Sequence, residues 1–247
     1  TVMGQIVASI LAVWLNLTKN EDIHLSFLGF RPDKAVIGRI YAVGVPSIIM
    51  MSIGSIMTYA INQILLRFSS TATAVFGVYF KLQSFIFMPV FGLNNGLIPI
   101  LAYNYGARNR ERIEKALRLA IGYAVSIMLI GTILFQIFPT QLLGLFNASA
   151  DMVSIGVVAL RVISTSFVLA GFCIALGSVF QAFGQGLFSM FVSIGRQLVV
   201  LIPVAYLLSL SGEVNYVWWA FPIAETASVV LSVLFFIRTY RKCVKPL

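Results

Sequence analysis

The chain has 247 residues, 60% of them hydrophobic and 10% charged, with 17 basic against 8 acidic side chains and a formal net charge of +9. Soluble domains carry about a quarter charged residues, and here the basic excess lies in gaps between apolar stretches, where it faces anionic headgroups and leaves no surface for DNA. One histidine, His24, and two distant cysteines, Cys173 and Cys243, give no metal or disulfide spacing, and no nucleophile–base pair or phosphate loop points to an enzyme or a cofactor.

Seven apolar stretches of membrane-spanning length run along the chain, at 2–17, 40–66, 72–103, 117–138, 153–183, 187–210 and 214–237. They define an all-α, polytopic membrane helix bundle. The first opens directly after Thr1, has marginal length, and lacks the basic start and cleavage site of a signal peptide. It reads as the end of a longer helix. The polar gap 18–36 contains Arg31-Pro32-Asp33, which breaks any preceding helix, and reads as a cytoplasmic linker. Pro32 and Asp33 are expected to open a short amphipathic helix at the membrane surface.

In the second stretch Ser52, Ser55, Tyr59 and Asn62 fall at i, i+3, i+7 and i+10, a polar stripe on one helix face. Such a face turns into the bundle or a wet cavity. Ser52 and Ser55 are expected in helix packing, Tyr59 and Asn62 in a cavity. The third stretch is expected to break at Pro89, Gly92, Gly96 and Pro99, because interrupted helices mark moving or substrate-lining elements in transporters. A simple packing kink is the alternative. Trp218 and Trp219 read as an interfacial anchor at the outer end of the last stretch.

Basic residues occupy alternate gaps. Lys19, Arg31, Lys34 and Arg39 follow the first stretch, Arg108, Arg110, Arg112, Lys115 and Arg118 the third, and Arg238, Arg241, Lys242 and Lys245 the seventh. The gaps around Ser69, Ala148 and Glu213 hold only Arg67 between them, and the gap around Gly184 is uncharged. By the positive-inside rule the basic gaps and the C-terminus are cytoplasmic. The protein is expected to be a multi-pass protein of a bacterial inner membrane, embedded in the lipid bilayer.

Four charges fall deep within the stretches, Lys81, Arg161, Arg196 and Glu225, while Arg118 stands at the very edge of the fourth. Counted from the helix ends, Lys81, Arg161 and Glu225 share a layer at a depth of roughly 12–16 Å, with Arg196 at a similar depth from the other side. Glu225 is expected to pair with Lys81 or Arg161, as structural glue or as the polar floor of a substrate cavity. Glu225, Ser228 and Ser232 share one helix face.

The run Leu82-Gln83-Ser84-Phe85-Ile86-Phe87-Met88-Pro89-Val90-Phe91-Gly92-Leu93-Asn94-Asn95-Gly96-Leu97-Ile98-Pro99, followed by Tyr103-Asn104-Tyr105-Gly106-Ala107, resembles the eighth helix of multidrug and toxic compound extrusion (MATE) transporters. Gly44-Val45-Pro46-Ser47, Phe180-Gln181-Ala182-Phe183-Gly184-Gln185-Gly186, Arg196-Gln197 and Trp219-Ala220-Phe221-Pro222-Ile223-Ala224-Glu225 are similar to that family in the same order. The resemblance implies a two-lobe transporter of twelve spans. Residues 1–17 would be the end of the sixth span, 18–36 the inter-lobe linker and 37–247 the six-helix C-terminal lobe, partnered by an N-terminal lobe.

It also implies an antiporter that exports small amphipathic organic compounds against sodium or protons by alternating access. In one branch of the family a glutamate of the seventh helix and an aspartate of the tenth hold the coupling cation. Those places fall near Gly54 and Ala170 here, which cannot do so. A flippase of lipid-linked precursors is an alternative that the intramembrane positive charge would suit. A seven-helix receptor fits the count, but the last stretch lacks the lysine a retinal type needs.

Overall fold

The computed structural model describes residues 2–19 and 33–247, apart from the side chains of residues 39, 42–44, 46–47 and 50–51. The linker around Pro32 therefore lies outside the described residues. Asp33 caps the helix that follows, its carboxylate accepting from the backbone N–H of Ala35 at 2.8 Å. Every described element is helical. Two units divide the chain, Thr1–Gly44 and Val45–Leu247.

The first unit holds α1 (Val2–Lys19) and the start of α2 (Lys34–Leu66). No residue of α1 is buried within the structure. The second unit contains the remainder of α2, then α3 (Ser70–Gly106), α4 (Arg110–Ile137), α5 (Pro139–Gly144), α6 (Ala150–Ser164) and α7 (Phe167–Ala182). It continues through α8 (Gly186–Ile194), a π-helical segment Gly195–Leu201, α9 (Ile202–Ser209), α10 (Val214–Val217) and α11 (Ala220–Thr239), and ends in a second π segment, Tyr240–Val244.

Val2–Lys19, Ser70–Gly106, Arg110–Ile137, Gly186–Ser209 and Val214–Val244 are long and apolar enough to cross a membrane, and α6 with α7 makes a sixth such span, bent by 46°. The stretch 40–66 lies within α2.

The core forms where α3, α4 and α7 pack together. Phe167 meets Phe87 and Phe135 edge to face, at 5.3 and 5.1 Å between ring centres. Gly171 is what lets α7 approach α4. A Cβ there would lie 2.7 Å from Met128 Cγ and 3.1 Å from the backbone oxygen of Ala124. Gly171→Ala is therefore expected to cost about 1–3 kcal/mol by overpacking, read as a lower unfolding midpoint of the purified protein. An unchanged midpoint would show that the two helices have slack.

The expected break in α3 is absent: one helix runs through Pro89 and Pro99 from Ser70 to Gly106. Each proline removes a single N–H, the one that the carbonyl of Phe85 or Asn95 would otherwise accept. Ending the helix at membrane depth would free many more backbone groups with no water to receive them. Continuity is the cheaper state. Pro89, Gly92, Gly96 and Pro99 instead line one exposed face of an unbroken rod.

The break occurs where none was expected, between α6 and α7. Ser164, Thr165 and Ser166 donate their hydroxyls to the carbonyls three residues back, Arg161, Val162 and Ile163, at 3.1, 2.7 and 2.7 Å. Side chains that bond back in this way compete with the helical ladder and bend it. Here the backbone N–H groups of Thr165 and Ser166 also reach three residues back. The neighbouring α4 supplies donors to this bend. Thr132 Oγ1 bonds the Ser164 carbonyl at 3.0 Å, and the Gln136 side-chain amide bonds the Arg161 carbonyl at 2.7 Å and Ser164 Oγ at 3.1 Å.

Trp218 is not an interfacial anchor. It is fully buried, among the largest side chains of the core, while Trp219 is about half exposed. The α2 stripe differs from expectation at its two serines. Ser52 and Ser55 are exposed rather than packed, Tyr59 is exposed and Asn62 half-buried, while Ile53, Ile61, Ile64 and Leu65 turn inward. Four apolar side chains on the opposite face outweigh the small gain from burying two serine hydroxyls.

Candidate functional site

Charge is buried between the last two spans. Arg196 sits in the π segment that interrupts the run from α8 to α9, and Glu225 lies one turn into α11. The Arg196 guanidinium donates to Glu225 Oε1 in a close ion pair. The glutamate side chain is 9% exposed and that of the arginine 33%. π segments widen the turn and are frequent at functional positions. Gly195 helps this one lie close to α11, because a Cβ there would stand 2.9 Å from Leu231 Cδ1.

Around the pair the polar face of α11 is buried, as its spacing predicts: Glu225, Ser228 and Ser232 are 7%, 1% and 1% exposed. Ser228 Oγ donates to Cys173 Sγ on α7 at 3.6 Å. Tyr79 of α3 is buried within electrostatic reach of both Glu225 and Arg196. Glu225 Oε2 and Ser232 Oγ are buried without a hydrogen-bond partner. Among the described residues no group of three or more His, Cys, Asp or Glu side chains converges to hold a metal ion.

The pairing differs from expectation in its partner. Glu225 meets Arg196, and not Lys81 or Arg161. Lys81 is exposed, with Nζ 5.8 Å from the centre of the Phe146 ring. Arg161 is also exposed, and its Nε donates to the backbone oxygen of Gln136 at 3.3 Å. Equal depth placed these groups in one layer but left their direction around each helix open. Tyr79 and Leu82 point into the core, so Lys81 turns away from it. It joins Phe85, Met88, Pro89, Gly92, Gly96, Pro99 and Tyr103 along the exposed face of α3.

The six candidate polar residues thus separate. Arg196 and Glu225 form the internal pair, Tyr59, Lys81 and Arg161 lie on the outside of the bundle, and Asn62 is intermediate. Sequence reasoning missed Tyr79, Cys173 and the π segment. Tyr79 and Cys173 sit in apolar runs without periodic polar neighbours, so nothing set them apart from core.

These elements define a polytopic, all-helical membrane bundle with an ion pair enclosed between its helices. Residues 46–207 match the MatE family model, and the chain belongs to that family, the multidrug and toxic compound extrusion transporters. It is 28% identical to the multidrug export protein MepA of Staphylococcus saprophyticus over 95% of its own length and 51% of the relative's. Against MepA of Staphylococcus haemolyticus it is 25% identical, over 94% and 51%.

Among solved structures, it resembles an outward-facing multidrug resistance MATE family transporter of the MOP superfamily, with a TM-score of 0.83 at 24% identity, covering 97% of this chain and 55% of the other. A MOP superfamily transporter from Pyrococcus furiosus, described as having a binding pocket of reverse polarity, gives 0.84 at 23%, covering 96% and 54%. The chain spans about half the length of the curated relatives it matches.

Proposed function

We propose that this chain forms the C-terminal lobe of a two-lobe exporter of amphipathic organic compounds, coupled to sodium or proton entry and working by alternating access. The observation that carries the reading is the exposed face of α3. Eight residues from Lys81 to Tyr103 lie within one side of the helix, and two of them are prolines. Those prolines withhold donors from carbonyls on or beside that face, which lipid cannot replace and a wet cavity or a second lobe can. Alternating access requires such a partner to rock against.

Coupling on this reading belongs to the other lobe. Gly54 and Ala170 themselves bear no group that binds a cation or carries a proton, and Glu225, the one acid within the seven apolar stretches, is already engaged by Arg196. That pair also cancels within the lobe. Lys81 and Arg161 remain, and among the described residues neither meets a carboxylate. Lys81 lies about 16 Å into a helix about 55 Å long, far longer than the roughly 30 Å hydrocarbon core, so its ammonium can reach the interface. The intramembrane positive charge that suited a flippase is thereby reduced. A cationic substrate would find its carboxylates in the partner lobe.

Reconstituted alone, this chain is expected to give no ion-driven efflux of cationic dyes, whereas a two-lobe protein containing it exports them. Efflux by the chain alone would overturn the two-lobe reading, and a strict preference for anionic dyes would overturn the substrate class. Orientation is tested separately. With Cys173 and Cys243 replaced, a single cysteine at position 148 should label from outside intact cells and one at position 242 only after permeabilisation. The reverse order would overturn the threading.

A further inference from the structure

At the end of the bundle that carries Arg110, a cleft of about 320 Å³ opens between the start of α4 and the end of the last span, lined by Arg110, Phe236, Ile237, Tyr240, Arg241 and Lys245. We propose that this cleft holds the phosphodiester headgroup of an anionic phospholipid, with the first part of its acyl chains against Phe236 and Ile237. The proposal requires that these helices cross a membrane. It requires nothing about substrate or coupling.

The cationic side of the cleft is built rather than incidental. Arg110 Nε bonds Glu114 at 2.7 Å and its Nη2 bonds the Tyr240 hydroxyl at 3.0 Å, while that hydroxyl donates to Glu114 at 2.5 Å. This three-membered network fixes the Arg110 fork and joins α4 to the final π segment. Glu114 offsets one cation. Arg241 and Lys245 have no acidic partner among the described residues, so the lining retains two positive charges.

The π segment sets where those two cations stand. The Lys245 N–H bonds the Tyr240 carbonyl five residues back at 2.9 Å. Cys243 and Val244 are buried against Leu101, Ile113 and Val179. With Cys243 and Val244 turned inward, Arg241 and Lys245 are left exposed on the outer side.

The other wall is apolar, with Phe236 half-buried and Ile237 exposed. Free phosphate would use only the cations and leave this wall wet. A phosphate esterified to acyl chains satisfies both halves. The position agrees, since Phe236 and Ile237 close an apolar span and the basic residues follow directly, as at a boundary between hydrocarbon and headgroups. Basic pockets between helices at that level suit anionic lipid headgroups.

The test is native mass spectrometry of the intact protein from micelles holding equal phosphatidylglycerol and phosphatidylcholine. Wild type should retain phosphatidylglycerol selectively. R241Q/K245Q should lower that selectivity roughly 25-fold, about fivefold for each cation lost. R112Q/K115Q removes the same charge from the same end but outside the cleft, and should leave selectivity unchanged. Equal losses in the two double variants would reduce the effect to general surface charge and overturn the site. No loss in R241Q/K245Q would overturn it too. Displacement of the lipid by millimolar inorganic phosphate would reassign the cleft to free phosphate. K245E, a single exposed change, should reproduce the loss if the double variant folds poorly, and wild-type selectivity in K245E would count against the proposal.

Discussion

Glu225→Gln is expected to lower the stability of the folded protein by about 3 kcal/mol, the low end of the range for stripping one partner from a buried ion pair. The low end applies because the Arg196 side chain keeps 33% of its exposure and can recruit some water. Replacing both partners, as R196M/E225M, should return stability to within about 1 kcal/mol of wild type, because two apolar side chains of similar volume remove the uncompensated charge. Unfolding midpoints of R196M, E225M, R196M/E225M and wild type make a double-mutant cycle whose coupling term isolates the pair. If the pair is structural, transport per folded molecule of a two-lobe protein survives the double replacement. Normal stability with abolished transport in E225Q would instead make the carboxylate, with its unpartnered Oε2, part of the transport path.

The second large effect concerns the bend between α6 and α7. T132V/Q136L removes the α4 donors that reach the carbonyls of Arg161 and Ser164 and the Ser164 hydroxyl. Loss is expected at about 1–3 kcal/mol, the cost of one buried acceptor left unmade, because the Ser164 carbonyl loses Thr132 while the Arg161 carbonyl keeps the Ser164 hydroxyl, moderated by rearrangement within the bundle. Thermal unfolding in detergent measures it. The 46° angle should also shrink, visible as a longer distance between spin labels at Ser154 and Gln181. Wild-type stability and distance together would mean that the three hydroxyls of Ser164–Ser166 set the bend without help from α4.

Much of the architecture is legible in the order of apolar and basic residues, because burying a backbone in hydrocarbon leaves the chain few options. The third stretch was bounded at 72 and 103 and the helix runs from Ser70 to Gly106. The α11 stripe of Glu225, Ser228 and Ser232 points inward as its spacing requires. Breaks were assigned to the wrong helix. Proline and glycine are strong breakers where water can take up freed carbonyls, and weak ones where it cannot. Three consecutive hydroxyl residues, which resemble nothing in particular in the sequence, bring their own hydrogen bonds and bend the chain.

The ion pair was half legible. The depth of Arg196 was right for Glu225, but azimuth around a helix depends on which neighbours it packs against, and that is tertiary information. The π turn that carries Arg196 has no sequence signature. Trp218 was read by the preference of its residue type for interfaces, and the core claimed it instead.

The continuity of α3 has a mechanical consequence. A rod about 55 Å long that is not jointed in the middle turns small angles into large displacements at its tips. A swing of about 10° around one end would carry the other by about 10 Å, the width of an organic molecule, while residues near the pivot hardly move. Because buried residues run along α3 from Ala72 to Asn104, such a swing carries the packed lobe with it as one body, and the displacement falls at the lobe's edges and not within its core.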